Sequence, residues 1–309
     1  MVRLMIDYSY AVAYVSAKET SVLSKEALLR MGSDGKDGLR QLSQTGYGGG
    51  DAESAGELVD RELSALRAFI KETLPDELAS LLILPYDAHN LKVLLKCAVN
   101  GADALPYLYD NTMYDTEIAA ACCRGGEFSL LSDDLAKILN PAYDAGTLSL
   151  PFYISALCDR AIYKEISKLS KSAPKPLSEY IAAKIDGKNL ISYFRALRIG
   201  LDNESLGSLL LPGGLLDTEA FTEAYGSKAD ELRAYTSGLD MHFVFISACE
   251  AAKSSLSAAA DILDNYAYSK LEPYKYEPQS VAPIFLYFKK KTAEARYVRE
   301  AFGGKGGAV

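Results

Sequence analysis

Asp87-Ala88-His89-Asn90-Leu91 returns as Asp186-Gly187-Lys188-Asn189-Leu190, and upstream Asp60-Arg61 returns as Asp159-Arg160. Both returns are offset by 99 residues, with no gap between them. Over residues 60–91, seven of 32 positions are identical at that offset, where chance gives about two. A period near a hundred residues is too long for a solenoid unit and suits a small domain. A third copy is fainter. Tyr193-Phe194-Arg195 aligns with Tyr287-Phe288-Lys289, which puts Pro283 where Asn189 stood.

Working outward, the dominant pattern is helical. Val59, Leu63, Leu66, Ile70 and Leu74 recur at steps of three and four and make one apolar helix face. Cys158, Ile162, Ile166, Leu169 and Ala173 do the same, as do Cys249, Ala252, Leu256, Ala259 and Leu263. No alternating strand pattern stands out, so the expected fold class is all-α. Leu23-Ser24-Lys25-Glu26, Leu131-Ser132-Asp133-Asp134 and Leu216-Asp217-Thr218-Glu219 each read as a helix start. An apolar residue precedes a capping side chain, and an acid follows at the positive helix end. The order of these signals divides the chain into three helical domains, 1–110, 111–210 and 211–309, the last with a glycine-rich tail at Gly303–Gly307. A turn is expected at Pro174-Lys175-Pro176.

Composition narrows the function. The 309 residues are 49% hydrophobic and 24% charged, as in ordinary globular proteins. The net charge of −8 argues against nucleic acid as a partner. No apolar run approaches the ~18–20 residues that span a bilayer, and Met1–Asp7 lacks the features of a signal peptide. The expected location is cytoplasmic. The five cysteines are odd in number and fit no zinc spacing, so they read as reduced and buried.

Catalytic and cofactor motifs fail inspection. Gly32–Gly38 lacks the spacer and the Ser or Thr of a phosphate loop, and the Gly-Lys of the tail is followed by glycine. Asp133-Asp134 could suggest a magnesium–diphosphate enzyme, but Lys137 stands where a second acid one turn on would be needed. His89 becomes Lys188 in the second copy, so the fold does not need a histidine there, and His242 has no evident catalytic companion. No cofactor or metal is therefore expected. Asp87 and Asp186 read as caps of the helices that follow them, with Leu91 and Leu190 as first core residues. Those helices then turn basic, through Lys92 and Lys96, Arg195 and Arg198, and Lys289 and Lys290. Such charge is either a solvated face or a set of equivalent helices presenting basic groups to one partner.

Together these stretches carry a family resemblance. Pro85–Lys96 resembles the signature of the C subunit of bacterial and archaeal V/A-type rotary ATPases, the counterpart of the d subunit of the eukaryotic vacuolar pump. Asn189–Gly200 is similar to the family's second signature, and Leu211-Pro212-Gly213-Gly214-Leu215-Leu216 to its Pro-Gly-Gly turn. Tyr8–Val15 resembles its opening helix, with Tyr14 and Ala17 where arginines are common, and Leu42–Tyr47 its Leu-x-x-Thr-x-Tyr stretch. The resemblance implies three similar helical domains in a pseudo-threefold funnel. It also implies a non-catalytic adaptor that couples the central stalk to the membrane proteolipid ring, peripheral to the membrane. The competing readings are a free-standing metal-dependent enzyme and a helical scaffold unrelated to ion transport.

Overall fold

The computed structural model describes residues 7–225 and 229–303. The N-terminal Met1–Ile6 and the glycine-rich tail beyond Gly303 lie outside the described residues. These contain fifteen α-helices and no strand. They are α1 (Ser9–Glu19), α2 (Lys25–Ser33), α3 (Lys36–Gln44), α4 (Ala55–Thr73), α5 (Asp76–Asn100), α6 (Thr116–Gly125), α7 (Asp133–Asp144) and α8 (Pro151–Ser170). There follow α9 (Lys175–Ile199), α10 (Asn203–Leu209), α11 (Thr218–Glu223), α12 (Ala229–Tyr235), α13 (His242–Ser254), α14 (Leu256–Ser269) and α15 (Ala282–Phe302).

The apolar stripes seen in the sequence are the buried faces. Val59, Leu63, Leu66 and Ile70 of α4 are buried, as are Cys158, Ile162 and Ile166 of α8. The third stripe is split in two. Ser255 leaves the helical region, ends α13 and caps α14 by accepting from the Ala258 N–H at 3.1 Å. A serine bonding its own neighbourhood competes with the helix it interrupts, and the apolar pattern alone does not reveal that. Ser24 and Ser132 cap α2 and α7 as expected, while Asp217 stands at the N-cap of α11 without a side-chain cap bond.

The chain divides into two compact units, Met1–Asp76 with Glu272–Val309, and Glu77–Leu271. In the first, α15 from the far end of the sequence packs on α1, α2 and α4. Gly32 of α2 and Ala301 of α15 meet so closely that a Cβ on the glycine would fall 2.3 Å from the Ala301 carbonyl oxygen. Tyr14 of α1 stacks on Phe69 of α4 with ring centroids 4.5 Å apart. In the second unit, α9 packs on α14, and α14 on α13. There Tyr193, Phe221, Phe245 and Leu263 share one apolar core.

Candidate functional site

The repeated Asp-x-x-Asn-Leu motif is not at a helix start. Asp87 lies in the middle of α5 and Asp186 in the middle of α9, so neither caps a helix. Both are buried, and so are Asn90, Asn189, Leu91 and Leu190. Burial of an unpaired carboxylate is costly, and here the cost is offset by backbone N–H donors from a distant segment. Asp87 accepts from the N–H groups of Met113 at 3.0 Å and Tyr114 at 2.8 Å. Asp186 accepts from Leu215 at 2.9 Å and Leu216 at 3.2 Å. Asn90 donates to the Tyr109 carbonyl and accepts its N–H, at 2.7 and 2.8 Å. Asn189 does the same to Leu211, at 2.9 and 2.7 Å. Each motif is thus a four-bond clamp on a stretch of chain 19 to 30 residues further on.

The two clamped segments correspond residue by residue. Tyr109-Asp110-Asn111-Thr112-Met113-Tyr114-Asp115 lies opposite Leu211-Pro212-Gly213-Gly214-Leu215-Leu216-Asp217. Both need a positive φ at their third residue, 51° at Asn111 and 97° at Gly213, conformations that asparagine and glycine tolerate. At Gly214 the reason for glycine is close approach, since a Cβ there would sit 2.0 Å from Asp186 Oδ1. Burial pushes the Asp186 carboxyl up to about 7, against the lowering effect of the Leu215 and Leu216 N–H groups.

A third grip closes the series. Glu294 of α15 accepts the Leu23 N–H at 2.6 Å. Leu23 precedes the cap of α2 just as Tyr114 precedes the Asp115 cap of α6 and Leu216 precedes Asp217. Glu294 is buried with Lys291, which also bonds Glu62 of α4 at 2.7 Å. Burial raises the Glu294 pKa, opposed by the Leu23 N–H and by Lys291.

Ion pairs join the same helices. Lys92 of α5 meets Asp159 of α8 at 2.5 Å, Lys184 of α9 pairs with Asp264 of α14, and Arg299 of α15 meets Asp60 of α4 at 3.1 Å. The repeated aspartates 60 and 159 are therefore anchoring groups for a long helix. Of the other basic candidates, Lys290 pairs with Glu19, and Arg198 donates to the Ala252 carbonyl. Lys96 is half-buried, Arg195 exposed and Lys289 half-buried. The sequence offsets of the three copies put Lys96, Arg195 and Lys289 at one equivalent position, so a basic residue stands there three times.

The residues set aside as catalysts have structural work. His89 Nε2 lies 3.0 Å from the Tyr107 carbonyl, and His242 Nδ1 lies 2.8 Å from the Thr236 hydroxyl. Asp134 is held by Lys168 at 3.0 Å and Lys137 at 3.6 Å, so ammonium groups stand where a metal would have to. Among the described residues no cluster of three metal-ligating side chains occurs. Sequence reasoning missed Asp115 and Glu294. Asp115-Thr116-Glu117 recurs as Asp217-Thr218-Glu219 at an offset of 102, and that echo could have revealed the clamped segment at 109–115.

Fold and site together define an all-helical protein in which buried acids and asparagines of long helices hold distant stretches of its own backbone. Residues 11–306 match the model of the ATP synthase (C/AC39) subunit family, and the chain belongs to that family. Its members are non-catalytic subunits of V/A-type ATP synthases. The chain is 24% identical to the C subunit of the A-type ATP synthase of Thermococcus gammatolerans, over 97% of this chain and 86% of that protein. It is 26% identical to the C subunit of the A-type ATP synthase of Methanosarcina acetivorans, over 97% of this chain and 89% of that protein. Against the C subunit of the V-type ATP synthase of Thermus thermophilus the identity is 27%, over 63% of this chain and 65% of that protein.

Proposed function

We propose that this chain is the adaptor that couples the central rotor stalk of a V/A-type ATP synthase to the membrane proteolipid ring. The observation that carries the reading is the family match over residues 11–306. The grip of an acid on the residue before a helix cap, made by Asp87, Asp186 and Glu294, supports it. Such bonds stiffen the passage from one copy to the next, which is what a part that carries torque requires. The three copies, 1–110, 111–210 and 211–309, are in this proposal three modules of a funnel, each lending its long motif-bearing or C-terminal helix, α5, α9 or α15, to the next. The protein sits at the cytoplasmic face and is peripheral to the membrane. No described helix is long and apolar enough to cross a bilayer. The proposed stalk contacts are the basic helices, with Lys96, Arg195 and Lys289 as their shared position and Lys92, Arg198 and Lys290 flanking them. Copurification of the tagged chain with stalk and proteolipid subunits is the expected result, weakened by Arg195→Glu and by raised salt. A chain that binds neither in the intact membrane fraction would refute the proposal.

A further inference from the structure

α8 carries Arg160, Lys164 and Lys168, with Lys171 at its C-cap, at steps of four, four and three. At 3.6 residues per turn these lie within about 80° of one another and run about 16 Å along the helix. Arg160, Lys168 and Lys171 are exposed and Lys164 is half-buried. The acids nearby answer only part of this charge. Asp134 of α7 is buried under Lys168 and Lys137, and the Lys168 hydrogen bond, with Lys137 and Lys164 in support, holds its carboxyl below the usual carboxylate range. Asp133 lies at the edge and acts on Lys168, while Glu165 turns inward to the hydroxyls of Tyr114 and Ser132. A dense basic stripe thus stands on a chain of net charge −8.

The fold does not require this charge. The equivalent positions of α4 are Arg61, Ala65, Phe69 and Glu72. There, in the first unit, Phe69 stacks on Tyr14, so an aromatic ring of α1 covers that part of α4. Lys168 holds the place of Phe69 on α8.

We propose that the α8 stripe is a docking surface for an acidic helix of a partner protein, seated on α8 as α1 meets α4. Charge complementarity selects acidic residues. The four-four-three spacing selects a helix, because helical side chains repeat along a line at that step. One helix width, with a buried aspartate beneath it, suits a patterned partner better than a sheet of lipid head groups.

The test uses the full chain and a fluorescein-labelled alanine-rich helical peptide with glutamates at i, i+4, i+8 and i+11. A control peptide scatters the same glutamates around the helix. Anisotropy should show salt-sensitive binding of the matched peptide and binding about tenfold weaker for the control. The variant R160E/K164E/K171E, which keeps the Lys168–Asp134 pair, should abolish binding. The milder K164Q/K171Q should weaken it severalfold and serves if the reversal does not fold. Equal binding of both peptides, unchanged binding by the variants, or binding to phosphatidylglycerol vesicles in place of the matched peptide would overturn the proposal.

Discussion

Replacing Asn189 with alanine should be among the most damaging single changes in the second unit. Asn189 is fully buried and makes both backbone bonds of Leu211, itself 5% exposed. Alanine leaves the Leu211 N–H and C=O without partners where water does not reach. Each orphaned group costs about 1–3 kcal/mol, so the loss is ~2–6 kcal/mol. Asn90→Ala removes the same two bonds from Tyr109, but Tyr109 is half-buried, so water replaces much of what is lost. The expected loss there is ~1–2 kcal/mol. The chain has no tryptophan and splits into two units, so a single global unfolding curve is a poor readout. Amide exchange at Leu211 and Tyr109, read against urea unfolding by circular dichroism, gives the local stabilities. If Asn189→Ala costs less than about 1 kcal/mol, or if Asn90→Ala costs as much as Asn189→Ala, the two asparagines do not act as burial-dependent clamps.

Further outcomes follow from the same geometry. Asp186 carries a carboxyl raised from 3.8 to about 7, worth up to ~4 kcal/mol at about 1.4 kcal/mol per pH unit. The folded chain holds this proton more tightly than the unfolded one, so its contribution is full below about pH 4 and is lost as pH rises through about 7. Urea titrations across that range should show stability of the second unit falling, and Asp186→Asn should flatten the slope; an unchanged slope would count against a buried carboxyl there. Gly214→Ala should lower the melting temperature measurably, because its Cβ would press on Asp186 Oδ1. A variant as stable as the parent would mean that the turn has room to move. A double-mutant cycle on Lys92 and Asp159 should return only ~0.2–1 kcal/mol, since both side chains are partly solvated. A coupling several times larger would show that the pair is better shielded than its exposure indicates.

Some of this was legible before any coordinates. The three-and-four spacing around Val59, Leu63 and Ile70 had one physical outcome, an amphipathic helix with that face inside. Ser24 and Ser132 were readable as caps because capping is local chemistry between residues three apart. The meaning of Asp87 and Asp186 was not local. A buried aspartate in mid-helix and an N-cap aspartate look alike in sequence, and only a donor 26 to 30 residues away distinguishes them. Lys92, Lys290 and Arg198 read as a basic face, yet each finds an acid or carbonyl on another helix.

By itself, the sequence determined the helices, the repetition at 99 residues and the family, because periodicity, capping and motif order are properties of neighbours along the chain. Tertiary structure decided what the repeated motif is for. Burial forces each polar group of Asp87, Asn90, Asp186 and Asn189 to find a partner, and the partners on offer are backbone groups 19 to 30 residues further along the chain. It also decided that α15, the last helix, completes the unit that holds α1, α2 and α4, through Glu294 and the Leu23 N–H. No local signal carries that pairing, because it depends on apolar faces 271 residues apart in sequence coming together.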